Sequence, residues 1–398
     1  MTTTKKADSA TEAALIPSAQ IQGLPHVLDA VGHVATAPAA AALSPAAARA
    51  SAAQLRLLDR DHSILAFNER VFHWVGRKDV PLLERLRYLC IVSSNLDEFF
   101  EVRAEPHITA ARTGETKGEH TVATFEALSA KAHDLVERQY ALYNDALMPA
   151  LAREGVRVVS HGERNAAQRR WVHEYFVREV RPLLVPISLD PAHPFPQVAN
   201  KSLNFIVRLK GSDAFGRENE IAIVRVPRLL PRFTRMPAKV APKGMQFVSV
   251  SSVVRAHLTD LFPGREVVEF AQFRVTRHSD LAVDEEDVRN LRTVLRQGLQ
   301  HRNFGTAVRL EVSAGSSEYL ADFLLRQFDL PRAALYRVQG PVNLVRFSQL
   351  IDLVANPAWM FAPWRPTWPH QIQPSASILE QLKQGDVLLH QPFESFDG

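Results

Sequence analysis

A single cysteine, Cys90, among 398 residues excludes an internal disulfide and a multi-thiolate zinc site, and its apolar surroundings read as a buried structural thiol. No stretch approaches the roughly 18 consecutive apolar residues of a membrane-spanning helix, and the opening MTTTKKADSA leads into no apolar signal core. A cytoplasmic protein is expected. The phosphate loop G-x-x-x-x-G-K-[ST], the dinucleotide fingerprint G-x-G-x-x-G and the protein-kinase catalytic motifs are all missing, which disfavours those nucleotide folds. H-E-x-x-H is missing too, and no other tight His/carboxylate spacing makes a metal site, so no metal ligand is assigned. The 15 histidines are scattered. An isolated one such as His62, His107 or His257 is commonly a surface or core residue rather than a catalyst, and no catalytic residue is assigned among them.

What is present is ordinary globular material: 46% hydrophobic and 23% charged residues, in a chain long enough for about two to three domains. The formal charge is +4, the pI is about 9.2, and Arg is preferred over Lys. That balance fits a partner carrying phosphates or carboxylates, and equally an Arg-rich protein with no polyanionic ligand. Residues 1–52 form an Ala-rich leader broken by Pro17, Pro25, Pro38 and Pro45; too few large apolar side chains are available to offset the entropy of ordering, so disorder is expected.

Helical periodicity starts near Asp59, with Ile64, Phe67, Val71, Phe72 and Val75 carrying a first helix to Gly76. Asp79 reads as the N-cap of a long second helix with Pro81 in its first turn. After a polar loop over 113–120, Val122 to Leu147 mark a third helix ending before Gly155. The texture then becomes mixed. A helix is expected over 165–181, and strands over 156–159, 203–209, 220–226, 246–250, 267–277 and 307–312. Helices over 252–262, 284–299 and 317–328 lie between or beside them. A Pro- and Trp-rich connector (357–374) leads to a short helix near Ser377 and a strand over 387–390. The alternation argues an α+β protein: a three-helix domain over 53–158 followed by an α/β head domain over 159–365.

The segment YLCIVSSNLDEFFEVR (88–103) stands out, because Ser93, Ser94, Asn95, Asp97 and Glu98 interrupt an otherwise apolar helix. At about 100° per residue the spacing opens a polar notch beside a buried stripe. An amide there presents a donor and an acceptor together, matching the edge of an adenine or of another amide. The same residues also suit bridging to neighbouring helices or facing water. Two further stretches, 187–205 with its prolines and Asn200, and 277–287 with its acidic run, read as a turn and as a helix N-terminus respectively.

Several blocks together resemble the long-chain, phosphohistidine-type polyphosphate kinases: FNERV (67–71), VPLLERLRYL (80–89), SSNLDEFFEVR (93–103), LDPAHPFP (189–196), FRVTRHSDLAVDEED (273–287), RNFGTAVRLEV (302–312), YRVQGPV (336–342) and GDVLLHQPFESFD (385–397). The resemblance runs from about Arg60 to the last residue; Ile64 stands where the family usually has tryptophan. It implies an N-terminal helical domain, a head domain making homo-oligomer contacts, and the start of a phospholipase D-like catalytic domain over 366–398, truncated at Gly398. It also implies reversible transfer of the ATP γ-phosphate to polyphosphate through a phosphohistidine, with Mg²⁺. The partners it implies are ATP and polyphosphate, with no nucleic acid and no integral membrane segment. The family's catalytic histidines and Mg²⁺ ligands belong to later domains, so none is carried over, and the chain alone is expected to be inactive. One ligand is carried over: Asn95 matches the asparagine that contacts the adenine end of ATP. A second reading from a different class is a non-catalytic dimerisation or regulatory module derived from such an enzyme.

Overall fold

The computed structural model describes residues 58–398 apart from 117, 119, 191, 193, 213–215, 217, 280–304, 373–376 and 396–398. The Ala-rich leader and the helix expected over 284–299 lie outside the described residues. The elements in chain order are α1 (Arg60–Gly76), α2 (Leu82–Arg103), α3 (Glu105–Thr113), α4 (Val122–Leu142), α5 (Met148–Arg153), β1 (Val156–Val158), α6 (Ala166–Tyr175), β2 (Val185–Ser188), β3 (Asn204–Lys210), β4 (Ile221–Arg225), β5 (Phe233–Arg235), β6 (Met245–Ser249), α7 (Val250–Ala256), β7 (Glu266–Arg277), β8 (Ala307–Ser313), α8 (Glu318–Phe328), β9 (Leu335–Val338), α9 (Ser348–Val354) and α10 (Ile378–Leu382).

Local chemistry sets several helix ends. Asp59 caps α1 by accepting from the His62 amide at 2.7 Å, Thr121 and Thr124 form a capping box on α4, and Ser317 caps α8. Asp79 does not cap α2 as expected. Pro81 stands at the N-cap without a side-chain bond, and the Asp79 carboxylate pairs instead with Arg77. Two other expectations need correction. The second helix ends at Arg103, and a separate α3 that was not expected follows, with Pro106 in its first turn, adding a helix to the three. The helix expected over 165–181 keeps α-geometry only to Tyr175, then loosens through Phe176–Val180 before Pro182.

The main sheet has strand order β2-β4-β3-β7-β8-β9, antiparallel except for the β8–β9 pair, and a smaller sheet has the order β1-β6-β5. β2, β5 and β9 are strands of three or four residues that no expected strand covers. Residues 387–390 form no strand; nearby, Thr367 and Glu394 make an isolated bridge.

One hydrophobic cluster runs from the helices into the sheet. α2 contributes Leu83, Leu86, Leu89, Val92, Leu96, Phe99 and Phe100, all buried, while Phe100 meets Tyr336 of β9 edge to face at 5.6 Å. Helix α2 is thus sandwiched between α1 and the sheet, with only narrow flanks left for polar groups. Cys90 is buried on it as expected, its thiol directed at the Leu344 carbonyl at 3.4 Å and pushed up to about 12 by burial.

Candidate functional site

The polar notch of α2 divides in the fold. Asp97 turns inward and Asn95 outward, and the two have different chemistry.

Asp97 is 3% exposed. Arg274 of β7 donates to it through both terminal nitrogens, at 2.8 and 2.9 Å. The Arg274 Nε donates to Glu311, Arg309 donates to Glu311 at 2.8 Å, and Arg309 also lies 3.5 Å from Asp97. Two carboxylates and two guanidiniums thus cancel in formal charge inside the core. Arg309 lies against the rings of both Phe100 and Tyr336, 4.9 and 4.4 Å from their centroids. Burial, reinforced by Arg274, pushes its guanidinium down to about 10, which leaves it charged at neutral pH. Such a network costs desolvation that its charge pairing offsets, although Arg309 Nε and Nη1 are buried without a hydrogen-bond partner among the described residues, so its contribution is orientation: it fixes α2 in rotation against β7 and β8. In the sequence, Arg274, Arg309 and Glu311 look like ordinary charged positions of half-exposed strands. Only the coverage of both sheet faces makes them internal.

Asn95 is half-buried on the flank toward α1. Its Nδ2 donates to Asn68 Oδ1 at 3.1 Å, and Asn68 Nδ2 donates to the Val92 carbonyl at 3.0 Å. The carbonyl accepts only, so the Asn68 amide can point just one way, and that orientation in turn fixes Asn95. The bond to Asn68 is the one side-chain hydrogen bond of Asn95 among the described residues, which leaves its second N–H and its Oδ1 available. This is a donor and an acceptor on one rigid amide edge, mounted on a helix that the ion network holds. Asn68, 2% exposed, is the residue sequence reasoning missed; the only available signal was a polar residue inside the apolar face of α1.

Other residues singled out in the sequence are structural here. Asn200 donates to Glu101 Oε1 at 2.5 Å and accepts from the Arg277 amide at 2.9 Å, while Lys201 pairs with Glu101 at 2.8 Å; together they tie the approach to β3 onto the end of α2. His107 contacts Asp61 at 2.9 Å, and His257 contacts the Val253 carbonyl at 2.9 Å. His133, which the sequence does not single out, is held in the same way, both of its nitrogens facing carbonyl oxygens, those of Ser129 and Leu335.

Among the described residues the fold assembles two ligand-type groups that no sequence spacing announces: Asp61 with His107 and His120, and His173 with His257 and Asp260. In the first, Arg103 already donates to Asp61 at 2.7 Å, placing a positive charge where a cation would sit. Both groups are nitrogen-rich, unlike the oxygen cage Mg²⁺ requires. The residues do not fit Mg²⁺, and no ligand for it is assigned.

Comparison with known proteins follows the same segments. A family model for the polyphosphate kinase N-terminal domain matches residues 57–159, and one for the polyphosphate kinase middle domain matches residues 167–350. A polyphosphate kinase from Neisseria meningitidis serogroup A is 47% identical over 348 residues, covering 86% of this chain and 51% of the relative. One from Pseudomonas syringae pv. tomato is 45% identical over 345 residues, covering 85% of this chain and 47% of the relative. The crystal structure of polyphosphate kinase from Porphyromonas gingivalis superposes with a TM-score of 0.68 at 23% identity, covering 85% of this chain and 48% of that one; at that identity the likeness concerns the fold. The chain spans about half the length of the curated relatives it matches.

Proposed function

The chain belongs to the polyphosphate kinase family, carrying its N-terminal and middle domains, and from that premise we propose that it supplies the adenine-orienting helix and the assembly scaffold of an ATP–polyphosphate phosphotransferase. In the proposed reaction a histidine nitrogen attacks the γ-phosphorus of ATP, forming an N–P bond as the bond to ADP breaks. A terminal oxygen of the polyphosphate chain then attacks the same phosphorus and releases the imidazole. Splitting the transfer in this way replaces one difficult displacement by two easier ones.

The observation that carries the assignment of Asn95 is its fixed amide edge. With Nδ2 held by Asn68 and Oδ1 unengaged, the side chain offers the complementary donor and acceptor an adenine edge needs, without an ordering cost at the moment of binding.

The phosphoryl-accepting histidine is proposed to lie outside this chain. In support, the buried His107 and His257 and the half-buried His133 hold ring nitrogens against Asp61 or backbone carbonyls. Mg²⁺ when bound would offset phosphate charge, through ligands not assigned to this chain. The boundary near residue 158, the head domain ending near 365, the homo-oligomer contacts of that head domain and the relation of residues 366–398 to a catalytic domain belong to the same proposal.

Incubation with γ-labelled ATP and Mg²⁺ tests it. No acid-labile label should be retained on the 398-residue chain; label on one of its own histidines would overturn the proposed division of roles.

A further inference from the structure

We propose that the cavity between α2, the approach to β3 and the turn at 343–346 binds a small phosphate oxyanion, orthophosphate or pyrophosphate. The cavity has a volume of about 240 Å³ and is lined by Lys201, Arg228, Arg232 and Arg346, with Ser94 and Asn343 among the polar groups.

Its charge is unbalanced. Lys201 is neutralised by Glu101 at 2.8 Å. Among the described residues, none of the arginines has a carboxylate partner: Arg228 donates to the Asn200 carbonyl, Arg232 donates to the Val342 carbonyl at 2.8 Å, and Arg346 bonds through its backbone only, to the Asn343 carbonyl at 3.3 Å. Asp97 also lines the cavity, but Arg274 and Arg309 engage its charge. Arg232 is 4% exposed, and its Nε is buried without a partner. A buried guanidinium without a counter-charge is costly, and an orphaned N–H on the wall of a cavity is a donor that an ion or water there would satisfy. Burial pushes Arg232 down to about 10, and the charge of nearby Arg346 also lowers it; it remains a cation at neutral pH.

The backbone around the cavity is also strained. Lys201 and Asn343, neither of them glycine, adopt left-handed conformations with φ of 55° and 68°, and Asn343 Nδ2 donates to the Lys201 carbonyl at 3.2 Å. Strain of this kind persists where the surrounding structure fixes a geometry that a function requires. Asn343 Oδ1 is buried and unpartnered, an acceptor suited to the O–H of a singly protonated phosphate. A volume below the ~300–1,000 Å³ of sites for drug-sized ligands suits a small oxyanion better than a whole nucleotide. Asn95 does not line this cavity, so the inference stands apart from the nucleotide assignment.

Calorimetric titration of pyrophosphate into the 398-residue chain tests it, with sulfate at matched ionic strength and ATP as comparators. A saturable pyrophosphate site is expected, weakened by about tenfold or more in Arg346→Gln, the loss of one charge-assisted contact. Arg332→Gln removes the same charge from an exposed position outside the cavity and should leave the affinity unchanged. Both substituted arginines are accessible enough for the fold to survive, which circular dichroism verifies. No saturable binding at millimolar pyrophosphate would overturn the proposal, as would unchanged affinity in both Arg346→Gln and Arg228→Gln. ATP binding more tightly than pyrophosphate with the same sensitivity to Arg346→Gln would overturn the small-anion assignment in favour of nucleotide phosphates.

Discussion

Arg274 grips Asp97 through both terminal nitrogens, at 2.8 and 2.9 Å, with side chains 1% and 4% exposed. Two residues before Asp97 on the same helix stands Asn95. The pairing therefore sets the angle at which α2 presents its amide, and a core contact between helix and sheet determines what the surface of the helix offers.

Removing one member of that pairing leaves charge buried and uncompensated. Arg274→Met should lower unfolding free energy by about 3–5 kcal/mol, the usual cost of breaking a buried ion pair. Urea denaturation measures it, and a loss under about 1 kcal/mol would place the network in the class of exposed pairs.

Asn68→Ala should act on recognition as well as on stability. Losing the bond to the Val92 carbonyl costs about 1 kcal/mol, seen in the same denaturation assay. The released Asn95 amide should then discriminate less between ATP and ITP. An unchanged ATP-to-ITP affinity ratio would show that Asn68 does not position Asn95.

Cys90 should be chemically silent in the native state. Burial pushes the thiol up to about 12, and only the thiolate reacts. Ellman's reagent at mildly alkaline pH should therefore modify it only on addition of denaturant. Rapid native modification would contradict the packing of α2.

Asp61 links stability to acid. Burial raises its carboxyl, but hydrogen bonds from Arg103 and His107 outweigh this and hold it below the usual range. A carboxylate held low contributes stability that is present above its unfolded value near ~3.9 and is lost as pH falls through the folded one. The difference in urea midpoint between the protein and Asp61→Asn should narrow from about pH 5 to pH 3. A gap that stays constant across that interval would remove Arg103 and His107 as the cause.

Legibility in the sequence follows the reach of each interaction. α1, α4 and α8 carry their caps and periodicity within a dozen residues, so pattern reading finds them. β7 and β8 are recognisable as strands, yet the inward direction of Arg274, Arg309 and Glu311 depends on α2 lying across them, which no local pattern contains. Asp97 and Asn95 were grouped as one notch because helical spacing places them on adjoining faces. Their separation into a core ion pair and a surface amide is decided by partners far along the chain, Arg274 for one and Asn68 for the other. The 387–390 segment shows the opposite error: an apolar run suggested a strand, but no described neighbour pairs with it.

The most direct test of the adenine-orienting role is the ratio of ATP to ITP affinity, measured by titration for the 398-residue chain and for Asn95→Ala. Hypoxanthine replaces the amino donor of adenine with an acceptor, so a fixed amide edge should favour ATP by roughly tenfold, within the range of one bidentate contact. The account predicts that this preference collapses toward unity in Asn95→Ala while circular dichroism stays unchanged. An ATP preference of the same size in the folded variant would contradict it.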